Sequence, residues 1–138
     1  MKQPLHSLTI ALAEGRQLEE LAQMLEKEGA TALRCPLVSI VDAPDPAPII
    51  AWLRQLVAGR FDYVILMTGE GLRRLVGFAA REQLDRAAIE ALGRTRAVTR
   101  GPKPLRALKE IGLVPALVAE PPTTDGVIAT LRAEPLHG

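Results

Sequence analysis

Three short stretches of this chain place a threonine and a glycine directly before a helical pattern. They are Thr68-Gly69-Glu70-Gly71, Thr99-Arg100-Gly101-Pro102-Lys103 and Thr123-Thr124-Asp125-Gly126. A helix start leaves its first amides without intrahelical partners and carries the positive end of the helix dipole, so such turns attract carboxylates and phosphates. Arg100 and Lys103 flank Gly101 and add two cations at one of these starts. The expected anion contacts are Thr68, Gly69, Gly71, Thr99, Arg100, Gly101, Lys103, Thr123, Thr124 and Gly126. No general acid–base set accompanies them, so no catalytic residue is assigned.

Several familiar chemistries fail on residues. Gly69-Glu70-Gly71 begins like a dinucleotide fingerprint, but the third glycine position is Arg74 and the turn does not follow the first strand. A phosphoacceptor site needs an aspartate where Thr68 stands, and a flavin site needs aromatics in loops that hold none of Trp52, Phe61, Tyr63 or Phe78. His6 and His137 lie near the termini without nearby metal-ligand partners. The single cysteine, Cys35, excludes an internal disulfide and a thiolate zinc site, and its apolar surroundings read as a buried strand. Neither a cofactor nor a metal is expected.

The elements that must position these turns follow from periodicity. Residues 8–13 read as a strand, 16–28 as a helix stopped by Gly29, and 31–40 as an extended run. Pro36 there forbids one ladder bond and marks a bulge, an edge or a change of direction. Residues 41–48, VDAPDPAP, form a proline-rich crossover. A helix over 49–57 then precedes the strand 63–67, whose unbroken apolar run predicts burial on both faces. Helices after Gly71 and over 88–92, a strand at 96–99, a helix through Leu105–Ile111, a strand at 116–119 and a helix at 126–131 complete the chain. Tyr63, at the start of a strand, reads as a core residue.

This βα recurrence predicts an α/β fold with a mostly parallel sheet and helices on both faces, of flavodoxin-like, doubly wound type. Ligands in such folds sit outside the carboxyl ends of the strands, where the three turns lie together with a fourth, Glu14-Gly15-Arg16. The division expected is 1–40, a first βαβ unit; 41–48, the crossover; and 49–138, the remaining βα units, with one compact domain as the alternative.

The chain has 138 residues, 48% hydrophobic and only 3% aromatic, so its core is aliphatic. A net charge of +1 excludes a dominant polyanion-binding character, although the bases Arg94, Arg96, Arg100, Lys103, Arg106 and Lys109 occur with no acid between them. Most of that run reads as a solvated helix face. No stretch is apolar for long enough to span a membrane, and no leader is recognised, which predicts a cytoplasmic protein with neither membrane nor nucleic-acid partners.

Segments 64–75 (VILMTGEGLRRL), 98–115 (VTRGPKPLRALKEIGLVP) and 119–131 (AEPPTTDGVIATL), in this order and spacing, resemble the uroporphyrinogen-III synthase family. Residues 8–40 resemble its first βαβ unit, so the likeness covers nearly the whole chain and corresponds to the family's N-terminal half. The resemblance implies a lyase of tetrapyrrole and heme biosynthesis. Such an enzyme closes hydroxymethylbilane, a linear tetrapyrrole polycarboxylate, into uroporphyrinogen III with inversion of ring D and loss of water, without a cofactor. Two features depart from the family pattern: Ala13-Glu14-Gly15-Arg16 replaces a Thr-Arg-Pro turn, and the family's catalytic tyrosine belongs to a second half with no counterpart here.

On that resemblance the chain is a half enzyme, inactive alone, whose partner is the other half or a second copy. A non-catalytic tetrapyrrole- or polyanion-binding regulatory module of the same family is the alternative. A sugar-phosphate or nucleotide enzyme using the same helix starts is a third reading.

Overall fold

The computed structural model describes residues 4–13 and 15–136. The chain divides into two compact units, Met1–Ala43 and Pro44–Gly138. Where one continuous sheet was conceivable from the sequence, the strands form two, one in each unit.

In the first unit, β1 (Thr9–Leu12) and β2 (Thr31–Arg34) pair in parallel, and α1 (Leu18–Lys27) connects them. Gly29, at φ 94°, takes the left-handed conformation that ends the helix without a Cβ penalty. Arg34 lies opposite Leu12 and reaches back to α1, donating to Glu19 at 2.7 Å and Glu26 at 2.8 Å. That contact puts α1 over the face carrying Leu12 and Arg34.

The extended run is shorter than its apolar content suggests, since β2 stops at Arg34. Cys35 therefore lies just past the strand and is half-buried, not a buried strand residue. The amides of Thr31, Cys35 and Leu37 donate to the carbonyls of Leu8, Leu12 and Ala13, so the alternating amides point to the open side. Pro36 falls on that open side, and its missing N–H costs the ladder nothing.

The second unit opens inside the proline-rich segment. α2 (Ala47–Val57) begins two residues earlier than the periodicity predicts, because Pro46 and Pro48 occupy the first turn, where a missing N–H is harmless. There follow β3 (Tyr63–Leu66), α3 (Gly69–Arg81), α4 (Asp85–Arg94), β4 (Arg96–Thr99), α5 (Pro102–Glu110), β5 (Leu117–Val118) and α6 (Thr124–Arg132). The sheet order is β3-β4-β5 and every pair is parallel.

Strand alternation sends Val64, Leu66 and Ala97 to one face, where they pack with Leu53, Leu56, Leu72, Phe78 and Leu108 from α2, α3 and α5 and with Ala88, Ala91 and Leu92 of α4. Val98 and Ala119 face the other way and meet Val127 of α6, with Tyr63, Leu117 and Leu131 around them. Helices thus cover both faces, as an α/β fold requires. Ile65 is nevertheless 45% exposed, contrary to the double burial predicted for its run, because β3 is an edge strand and α6 packs over β4 and β5.

Candidate functional site

The carboxyl ends of β3, β4 and β5 lead into the starts of α3, α5 and α6. Thr68 caps α3: its Oγ1 accepts the Gly71 amide at 2.9 Å. Thr123, and not Thr124, caps α6 in the same way, with Oγ1 accepting the Gly126 amide at 3.1 Å. The amides of Gly71 and Gly126 are consequently spent within the protein. What remains towards the surface at these two starts are the N–H groups of Glu70, Thr124 and Asp125, since Gly69 is buried against the first turn of α5. Glu70 and Asp125 escaped the sequence reading because a capping threonine becomes visible only through its hydrogen bond.

The start of α5 has no side-chain cap. Gly101 sits at φ 79° and ψ −160°, a conformation open to glycine. Pro102 and Pro104 lack N–H groups, so this start offers fewer amide donors than its place in the fold suggests. The positive groups at this start are the dipole end, the Lys103 amide and the half-buried Arg100 and exposed Lys103 side chains, which make no ion pair among the described residues.

Close packing ties the three starts together. A Cβ on Gly69 would lie 2.8 Å from the Lys103 carbonyl oxygen, so α3 touches the first turn of α5. A Cβ on Gly101 would lie 2.5 Å from Pro122 Cβ, and one on Gly126 would collide with the Pro121 carbonyl oxygen. The turns after β3, β4 and β5 are thereby continuous. Thr68, Thr123 and Thr124 are exposed along this rim.

Thr99 corrects an expectation. It is fully buried, and its Oγ1 has no hydrogen-bond partner among the described residues, so its side chain lies beneath the rim and does not offer a surface contact. The Glu14-Gly15-Arg16 turn belongs to the first unit, with Glu14 outside the described residues and Gly15 packed against the Val38 carbonyl oxygen. His137 also lies outside the described residues.

The basic run is only partly a solvated face. Arg96 donates to Glu134 at 2.6 Å and stacks over the Tyr63 ring at 5.4 Å, and the Tyr63 hydroxyl donates to the same carboxylate at 3.1 Å. Coulombic attraction to Glu134 comes first among the causes that raise the Arg96 pKa. Tyr63 is half-buried at the edge of the smaller core cluster, short of full core burial. This group borders a surface cavity of about 680 Å³ lined by Phe61, Asp62, Arg94 and Leu136, at the amino ends of β3 and β4 and so away from the rim. Among the described residues no cluster of three or more His, Cys, Asp or Glu could hold a metal ion, and no helix is long and apolar enough to cross a membrane.

Parallel sheets flanked by helices, with three helix starts meeting at the carboxyl ends of β3, β4 and β5, define an α/β protein. The profile of the family Uroporphyrinogen-III synthase HemD matches residues 19–137. The fold is matched by a mutant uroporphyrinogen III synthase from Thermus thermophilus at 30% identity and TM-score 0.64, covering 89% of this chain and 47% of that one. A second structure of the Thermus thermophilus enzyme matches at 32% identity and TM-score 0.54, over 89% and 47% of the two chains. A Bacillus subtilis (strain 168) protein named Uncharacterized protein YjjA is 32% identical over 129 residues, which are 94% of this chain and 47% of that protein. The chain belongs to the uroporphyrinogen-III synthase family and spans about half the length of the relatives it matches.

Proposed function

We propose that the rim formed by the starts of α3, α5 and α6 holds carboxylates of hydroxymethylbilane, and that this chain supplies one wall of a uroporphyrinogen-III synthase. The observation that carries this reading is the continuity of the three starts, fixed by Gly69 against Lys103 and Gly101 against Pro122. A linear tetrapyrrole presents many carboxylates along one flexible chain, and a row of amides and cations is the matching surface.

In the reaction the terminal hydroxyl leaves with a proton as water, which generates an electrophilic azafulvene. The substituted carbon of ring D then attacks it to give a spiro centre; the bond from that carbon to the ring C methylene breaks, and the methylene is attacked by the free α-carbon of ring D, which loses its proton, so the ring closes inverted. The amides of Glu70, Thr124 and Asp125 and the side chains of Arg100 and Lys103 would bind and orient the acid arms. The rate gain would come from holding the chain ends in the geometry of attack. Thr99 would act from below, by fixing the end of β4 under Gly101.

Titrating hydroxymethylbilane against the chain tests the reading. Replacing Arg100 and Lys103 together by alanine is expected to weaken binding by about tenfold or more, since each removes a charge-assisted contact. Unchanged affinity would remove the site. A rim of backbone N–H groups, capping threonines and two cations also suits a second reading, a non-catalytic tetrapyrrole- or polyanion-binding module. Following the type III product against the spontaneous type I ring separates the two: binding without type III product supports the module.

A further inference from the structure

The start of α5 differs from the other two starts in what lies beneath it. Among the described residues Thr99 is the one buried polar side chain, and its Oγ1 is the one buried side-chain oxygen or nitrogen without a hydrogen-bond partner. By contrast, Thr68 and Thr123 accept the Gly71 and Gly126 amides, and Thr95 and Thr130 donate to the Ala91 and Gly126 carbonyls at 2.8 Å. A buried hydroxyl without a partner forfeits its hydration, and valine would fill the same space at no such cost. Such a group calls for a partner that the fold itself does not supply.

The cause is local. Strand alternation puts Thr99 on the face of Ala97, and the register sets it beside Leu66, so its side chain points into the layer of α3 and α5. α5 begins at Pro102, three residues on, so its first turn lies over this hydroxyl. Amides of that turn would ordinarily donate to it, but residues 102 and 104 are prolines and have none to give. At the same start the Lys103 amide has no intrahelical partner and Gly101 supplies no side-chain cap. Neither Arg100 nor Lys103 makes an ion pair among the described residues. An unpartnered hydroxyl, an unused amide, two cations and the dipole end therefore converge on one helix start.

We propose that the start of α5 is a carboxylate site that closes over Thr99 in the free chain, and that the Thr99 hydroxyl becomes the donor to one ligand oxygen when the site fills. The Lys103 amide and the Arg100 and Lys103 side chains hold the other oxygen. Pro122 lies against Gly101 above the turn, and Gly101, at φ 79°, has the backbone freedom to let that turn move aside. The hydrogen bond that Thr99 gains offsets the cost of the movement, since a ligand shifts a conformation only by binding the shifted form better. The other two starts have no such reserve, because Thr68 and Thr123 are already engaged as caps. This site takes its place from the rim reading above and deepens it, naming the donor that separates a bound from an unbound α5 start. The ligand class is a polycarboxylate, whether or not it is a tetrapyrrole.

Urea unfolding, with calorimetric titration of benzenehexacarboxylate and of hydroxymethylbilane into the chain, is the test. Thr99→Val is expected to raise the urea midpoint of the free chain, because it removes an unpartnered hydroxyl. The same variant is expected to bind the hexacarboxylate about tenfold or more weakly, because a hydrogen bond to a charged group is lost. Thr99→Ser keeps the donor and should bind within about threefold of the unsubstituted chain. A Thr99→Val chain that binds as tightly as before overturns the proposal. So does a lowered urea midpoint in that variant, which would mean that the hydroxyl already has a partner in the free chain. Equal losses of affinity in Thr99→Ser and Thr99→Val would assign the effect to packing and overturn it as well. Binding of neither ligand overturns this site together with the rim reading. Thr99-dependent binding of the hexacarboxylate without binding of hydroxymethylbilane supports the site and removes the tetrapyrrole reading alone.

Discussion

Single side chains set the local geometry of the rim, and their removal has calculable consequences. Thr68→Ala and Thr123→Ala each delete the acceptor of one capping bond and are expected to cost about 1 kcal/mol in urea unfolding, with serine restoring most of it. Gly126→Ala puts a methyl group into the Pro121 carbonyl and is expected to cost on the order of 1–3 kcal/mol, while Gly77→Ala, with open space at its Cβ, should be neutral or stabilising. Acid dependence is set by pairs such as Arg73–Glu110 at 2.7 Å, where the hydrogen bond from Arg73 holds the Glu110 carboxyl below its ordinary 4.5. A depressed carboxyl stabilises the fold above the ordinary value and loses that contribution as pH falls through the folded one. Glu110→Gln should therefore flatten the acid limb of a stability–pH curve below 4.5, with its small loss of stability lying at neutral pH, where the pair is ionised, and vanishing in acid.

At the scale of elements, α2, α3, α4 and α5 share one aliphatic cluster on one face of β3-β4-β5. Leu53 and Leu108 are fully buried in it, and truncating either to alanine is expected to cost about 2–5 kcal/mol. Trp52, the only tryptophan, stacks on Phe61 with ring centroids 5.3 Å apart and packs against this cluster. Its emission should therefore report the loss of stability in both variants. The helix starts inherit their positions from this packing, since Gly69 brings α3 into contact with α5. Variants that loosen the cluster should accordingly weaken anion binding without touching a ligand.

For the whole molecule, the unequal division of apolar burial is the main physical fact. Pro44–Gly138 holds both core clusters, whereas Met1–Ala43 holds neither. Hydrogen exchange should be correspondingly unequal. Val64 and Val98, inside a three-stranded sheet covered on both faces, should be strongly protected. Ile10 and Leu33, in a two-stranded sheet with one helix, should exchange faster. Equal protection in the two units would contradict this picture.

Much of this was legible in the residues. Gly29 ended its helix as read, and Gly59 and Gly112 stand after helices in the same way, each at positive φ, because a left-handed residue is a local requirement that glycine meets. The βα order and the helix starts at Thr68 and Gly101 were equally local, and motif spacing identified the family that the comparisons show. Other features depended on what lies beside a residue in space. Neither the edge position of β3, which exposes Ile65, nor the division into two sheets is encoded in apolar runs, since a run does not say which strand comes alongside. The burial of Thr99, the choice of Thr123 over Thr124 as cap, and the spending of the Gly71 and Gly126 amides were decided by tertiary contacts. The sequence by itself determined the local conformations and the chemical types along the rim. Only the tertiary structure decided which donors stay free, because hydrogen-bond satisfaction and burial are properties of neighbours.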